Sequence, residues 1–196
     1  MNLANRLTLF RVVLAPVFFA VYLLPAQPVG NALWIVPLLW VIFIVSEITD
    51  MLDGMAARRL KQTSDLGKLF DPFADTLMQL TCFLCFVIDG IIPAVLFLVV
   101  LYREFGILFI RNLMLKRGVT MGARMGGKIK TVAYISAVAA ALFYASLLRF
   151  GAAESLQPIF RIAAIAIFAA SVLISVLSFA DYVSVYRASF KTKDEV

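Results

Sequence analysis

Six apolar stretches follow one another with only short polar connections, at roughly 7–25, 32–52, 70–88, 91–112, 129–148 and 158–183. A helix of about 20 apolar residues matches the hydrocarbon thickness of a bilayer. Within that layer every backbone polar group must find its partner inside the protein, which favours helices. Of the 196 residues, 63% are apolar, and the mean hydropathy of +0.96 lies far above what one soluble core requires. The pattern predicts an all-α membrane protein of six transmembrane helices, forming a single domain over residues 1–196. The first stretch is expected to be a retained span: Arg11 interrupts its start, and Pro25-Ala26-Gln27 is a poor cleavage site.

The basic residues predict an orientation. Fifteen of the 18 Lys and Arg residues fall at both ends of the chain and around the 2–3 and 4–5 connections, whereas Arg149 and Arg161 lie on the other side. This positive-inside bias is expected to put both termini and those two connections in the cytoplasm. The net charge of +6 reflects that topology and attraction to anionic headgroups. No nucleic-acid-binding module accompanies the charges, so no nucleic-acid partner is expected. A narrower reading of the 4–5 cluster is that Arg111, Lys128 and Lys130 bind an anionic substrate.

Histidine is absent, which excludes imidazole bases, nucleophiles and ligands. Cys82 and Cys85 lie three apart in an apolar segment and are expected to be packing residues. Asp89-Gly90 followed by Pro93 marks a tight turn between the third and fourth spans. Arg103 and Glu104 form an adjacent charged pair within the fourth span, where such a pair is expensive and usually functional. Glu104 and Arg111 share a helical face, which suits an ion pair positioning Arg111; a structural pair facing the bundle interior is the other reading.

Four of the twelve acidic residues gather around the 2–3 connection: Asp50, Asp53, Asp71 and Asp75. Asp50 and Asp53 are three apart and Asp71 and Asp75 four apart, so each pair makes one acidic helix edge. A hairpin through Gly54 and Gly67 is expected to turn the edges toward each other. Carboxylates so placed repel unless they hold hard cations, and all-oxygen ligation suits two Mg²⁺ or Mn²⁺ ions. Two such ions bridging a pyrophosphate point to phosphoryl or phosphatidyl transfer. Gly54 and Ala57 leave space beside the edge for a planar base, or allow close helix packing. A different class of reading is a cation channel or transporter, although that does not require Gly54, Ala57, Arg58 and Gly67 at fixed offsets.

The run D-x2-D-G-x2-A-R-x8-G-x3-D-x3-D, carried by Asp50, Asp53, Gly54, Ala57, Arg58, Gly67, Asp71 and Asp75, resembles the signature of the CDP-alcohol phosphotransferases. The resemblance implies a six-helix membrane fold, commonly a homodimer, with the active site facing the cytoplasm from a bacterial-type inner membrane. It further implies that the four aspartates hold two divalent ions, with Asp50 and Asp71 shared and Asp75 also serving as proton acceptor. Asn5, Thr8, Arg11, Gly54, Ala57, Arg58, Ser64 and Gly67 match positions associated with the CDP-lipid. Residues 2–11, Arg103-Glu104 with Arg111, and Gly127-Lys128-Ile129-Lys130-Thr131 resemble members that join CDP-diacylglycerol to glycerol 3-phosphate. Arg103, Arg111, Lys128 and Lys130 are then the expected grip on the acceptor phosphate. The chain departs from those members at Leu108-Phe109, where Ser-Gly is usual, at Thr76, where Lys is usual, and at Arg124, which replaces a small residue. The departures leave inositol phosphate, serine or an amino alcohol as alternative acceptors.

Overall fold

The computed structural model describes the backbone of residues 3–25, 31–60, 65–116 and 125–191, with side chains at 6–25, 31–52, 72–114, 127, 129–184, 186 and 187. Among these residues there are six long α-helices and no strand: α1 (Leu3–Tyr22), α2 (Ala32–Leu60), α3 (Asp65–Ile88), α4 (Ala94–Lys116), α5 (Met125–Phe150) and α6 (Gln157–Lys191). The all-helical reading and its six elements hold. By length and hydropathy, three segments among the described residues are able to cross a membrane: Ala32–Leu52, Ile129–Phe150 and Glu154–Ser184. In α4 the charges Arg103, Glu104 and Arg111 interrupt the apolar run. In α3, Pro72–Ile88 is a shorter apolar stretch among the described residues.

The expected hairpin through Gly54 and Gly67 is corrected. Helix α2 runs on to Leu60, and α3 has already begun at Asp65, so both glycines are helical. Gly54 is one weak former among Met51, Leu52, Met55, Ala56, Ala57, Arg58 and Leu60, most of which favour helix. The connection between the helices, 61–64, lies outside the described residues. The Asp89-Gly90 turn is present. Gly90 takes φ 66°, and its N–H and that of Ile91 donate to the carbonyls of Val87 (3.0 Å) and Phe86 (2.8 Å). This left-handed closure satisfies the carbonyls of Phe86 and Val87 at the end of α3 and suits glycine.

Helix α1 packs on α2 and α3, α5 packs on α6, and α4 packs mainly on α6. Their shared interior is aromatic: Phe83 meets Tyr134 and Phe168 edge-on at 5.4 and 4.8 Å between ring centroids. Cys82 and Cys85 are free thiols buried in this core, as expected of packing residues. At the end holding the 3–4 turn, Tyr22 donates to Asp89 (2.6 Å), and Arg149 donates to the Tyr22 carbonyl (2.7 Å) while lying over its ring. Those contacts fasten α1 to the end of α3 and to α5. The α4–α6 approach depends on Gly106, where an added Cβ would stand 3.0 Å from the ring of Phe179. Small residues permit such contact between membrane helices.

Candidate active site

Two of the four aspartates have described side chains, and they converge as the helix edges predict. Arg11 of α1 inserts between α2 and α3, and its Nη1 donates to Oδ1 of Asp50 and to Oδ1 of Asp75. The arginine is 1% exposed, whereas the carboxylates are 37% and 38% exposed, so a ligand reaches the aspartates from outside while Arg11 supports them from within. Thr8, one turn before Arg11, is also buried. Ser46, Glu47, Gln79 and Thr131 complete the small recess around these three residues. The side chains of Asn5, Asp53, Gly54, Ala57, Arg58, Gly67, Asp71 and Lys128, and the whole of Ser64, lie outside the described residues.

The donor chemistry fits a hard divalent cation. Carboxylate oxygens from two different helices bond the same guanidinium nitrogen, so both lie within reach of one positive centre. Oxygen donors of this kind suit Mg²⁺ or Mn²⁺. Among the described residues no group of three or more His, Cys, Asp or Glu side chains forms. A fuller set would need the neighbouring Asp53 and Asp71, which follow and precede this pair by about one turn on α2 and α3.

Beyond Asp75 a second cavity opens, about 240 Å³ in volume and lined by Asp75, Gln79, Arg103, Arg111, Lys130 and Tyr182 among others. Its walls come from α3, α4, α5 and α6. Glu104, 3% exposed, organises the cations: its Oε1 accepts from Arg103 Nη1 (2.7 Å) and Lys130 Nζ (2.9 Å). The remaining Arg103 geometry is fixed by Nε, which donates to the Ser175 carbonyl (3.0 Å). Lys130 also stands 4.6 Å from the ring centre of Tyr134, whose hydroxyl donates to Ser175 Oγ (2.6 Å). Buried charges are tolerable when paired and hydrogen-bonded in this way.

The pairing of Glu104 with Arg111 is corrected. Seven residues correspond to about 10 Å along a helix, and Lys130 on the facing helix is nearer. Arg111 instead donates from Nη2 to the Tyr182 hydroxyl (3.0 Å). Of the four cations expected at the acceptor phosphate, the structure brings Arg103, Arg111 and Lys130 to one cavity. Tyr182 and Gln79 were missed by reading the sequence alone. Gln79 left a signal, since it stands four residues after Asp75 and so shares its helical face. Tyr182 left none, because only the packing of α6 against α4 brings it to Arg111.

The family model described as CDP-alcohol phosphatidyltransferase matches residues 1–177. A CDP-diacylglycerol–glycerol-3-phosphate 3-phosphatidyltransferase of Treponema pallidum (strain Nichols) is 36% identical over 199 aligned residues, covering 95% of this chain and 89% of the relative. A protein of the same name from Bacillus subtilis (strain 168) is 36% identical, covering 73% and 77%. A probable phosphatidylglycerophosphate synthase of Mycobacterium tuberculosis (strain H37Rv) is 32% identical, covering 93% and 80%. The chain is an integral membrane protein that belongs to the CDP-alcohol phosphatidyltransferase family.

Proposed function

We propose that this enzyme transfers the phosphatidyl group of CDP-diacylglycerol to glycerol 3-phosphate, giving phosphatidylglycerophosphate and CMP. The observation that carries the reading is the position of Asp75, which lines both the acidic recess shared with Asp50 and the cationic cavity of Arg103, Arg111 and Lys130. A nucleotide-lipid held on the acidic side and a phosphorylated alcohol held on the cationic side would meet at this carboxylate. The names of the relatives point to the same pair of substrates. Family membership sets aside the channel or transporter reading.

In this reading Asp50, Asp53, Asp71 and Asp75 hold two divalent ions, Mg²⁺ or Mn²⁺. When bound, such ions neutralise pyrophosphate charge and stabilise the leaving oxygen. Asn5, Thr8, Arg11, Gly54, Ala57, Arg58, Ser64 and Gly67 line the CDP-lipid, with Arg11 bracing Asp50 and Asp75 against each other. Arg111 and Lys130, with Lys128 and Arg103 nearby, grip the phosphate of the acceptor. Asp75 takes the proton of its primary hydroxyl, the freed oxygen bonds the lipid-side phosphorus, and the bond to the CMP oxygen breaks. A cavity with three cationic side chains favours a phosphorylated acceptor over serine or a simple amino alcohol.

The same reading places one membrane domain of six crossing helices in a bacterial-type inner membrane. Both termini and the site face the cytoplasm, in a homodimer. The test is turnover: purified protein receives CDP-diacylglycerol with glycerol 3-phosphate, inositol phosphate or serine in turn, and the product lipid is identified. Phosphatidylglycerophosphate formed with glycerol 3-phosphate alone supports the reading. Product formed only with another acceptor overturns it.

A further inference from the structure

Gln79 occupies the boundary between the two cavities and lines both. The residue is 9% exposed, and its buried Oε1 accepts no hydrogen bond among the described residues. A buried amide oxygen without a donor is costly, and leucine or methionine would fill the same space without that cost. Native structures keep such an atom where something else supplies the partner. The atom lies on the helical face of Asp75, one turn further along α3.

The missing partner must be a donor. If Asp75 receives the primary hydroxyl and Arg111 and Lys130 receive the phosphate, an acceptor with a hydroxyl on its middle carbon carries a donor between those two anchors. We propose that Gln79 Oε1 accepts a hydrogen bond from the hydroxyl next to the reacting one, so that the site selects a vicinal diol phosphate over a simple hydroxyalkyl phosphate. This rests on the acceptor reading above. The contact both selects and orients: with the phosphate and the middle hydroxyl fixed, the terminal hydroxyl has little rotational freedom left beside Asp75. Sites built around a substrate hydroxyl reject the analogue lacking it because their own polar group then stays unpaired.

The experiment compares kcat/KM for glycerol 3-phosphate and for 3-hydroxypropyl phosphate, its analogue without the middle hydroxyl, at fixed CDP-diacylglycerol. The proteins are the wild type, Gln79→Met and Gln79→Leu. The ratio of the two substrates is read within each protein, so a loss of folded material cancels. The wild type is expected to prefer glycerol 3-phosphate by roughly tenfold. In both variants that ratio should collapse toward one, through loss on glycerol 3-phosphate while the analogue holds. A wild-type ratio near one, or a ratio unchanged in the variants, overturns the proposal while leaving the acceptor assignment standing. A wild type that makes no product from glycerol 3-phosphate but does so from another acceptor overturns the acceptor assignment, and this proposal with it.

Discussion

Lys130 Nζ stands 2.9 Å from Glu104 Oε1, which joins α5 to α4 through a carboxylate that also accepts from Arg103. One buried anion thus serves the buried Arg103 and the partly buried Lys130. Removing it as Glu104→Ala leaves both uncompensated, at a cost of about 3–5 kcal/mol. Lys130→Ala leaves Glu104 paired with Arg103 and should cost clearly less. Thermal unfolding of the two variants in one detergent checks the order.

Arg111 and Lys130 are expected to act on the acceptor phosphate. Alanine at either position should raise the KM for glycerol 3-phosphate by roughly ten- to hundredfold, as expected for loss of a charge-assisted contact. The KM for CDP-diacylglycerol should move much less. Tyr182→Phe keeps the ring near Arg111 but removes the hydroxyl that accepts from it, and should raise the same KM by only a few fold. Steady-state kinetics with each substrate varied in turn separate these outcomes from equal changes in both constants.

Gly106 permits the approach of α4 to α6 that holds Arg103 against Ser175. Gly106→Val forces the ring of Phe179 aside and should lower stability by about 1–3 kcal/mol. Shortening the opposing side chain in the double variant Gly106→Ala, Phe179→Leu should relieve the crowding left by Gly106→Ala alone. Melting temperatures of the single and double variants read this directly.

Asp50→Asn removes a charged oxygen donor from the acidic edge and should weaken divalent-ion binding as well as turnover. Titration with Mn²⁺ followed by paramagnetic resonance reads the first without any substrate. An affinity equal to that of the wild type would remove Asp50 from the ligand set.

The helices and the convergence of Asp50 with Asp75 were legible in the sequence because they rest on local periodicity. Asp50 and Asp75 each sit about one turn from a second aspartate, and that spacing survives any detail of packing. The cationic cavity was legible only as a list of cations on one side of the membrane. Which partner each one takes depends on how helices face each other, so Glu104 was read with Arg111 on its own helix although Lys130 on α5 lies nearer. The continuation of α2 through Gly54 was misread for the opposite reason: a glycine signals a turn, but its neighbours are strong helix formers.

The position of Asp75 between the two cavities is the centre of the functional account. Asparagine at 75 keeps an oxygen for Arg11 to bond but cannot take a proton. The direct measurement is the rate of CMP release by Asp75→Asn at saturating CDP-diacylglycerol and glycerol 3-phosphate. The account predicts a fall of at least about a hundredfold, with CDP-diacylglycerol binding retained better than in Asp50→Asn. A rate within a few fold of the wild type would contradict it and assign the proton to another group.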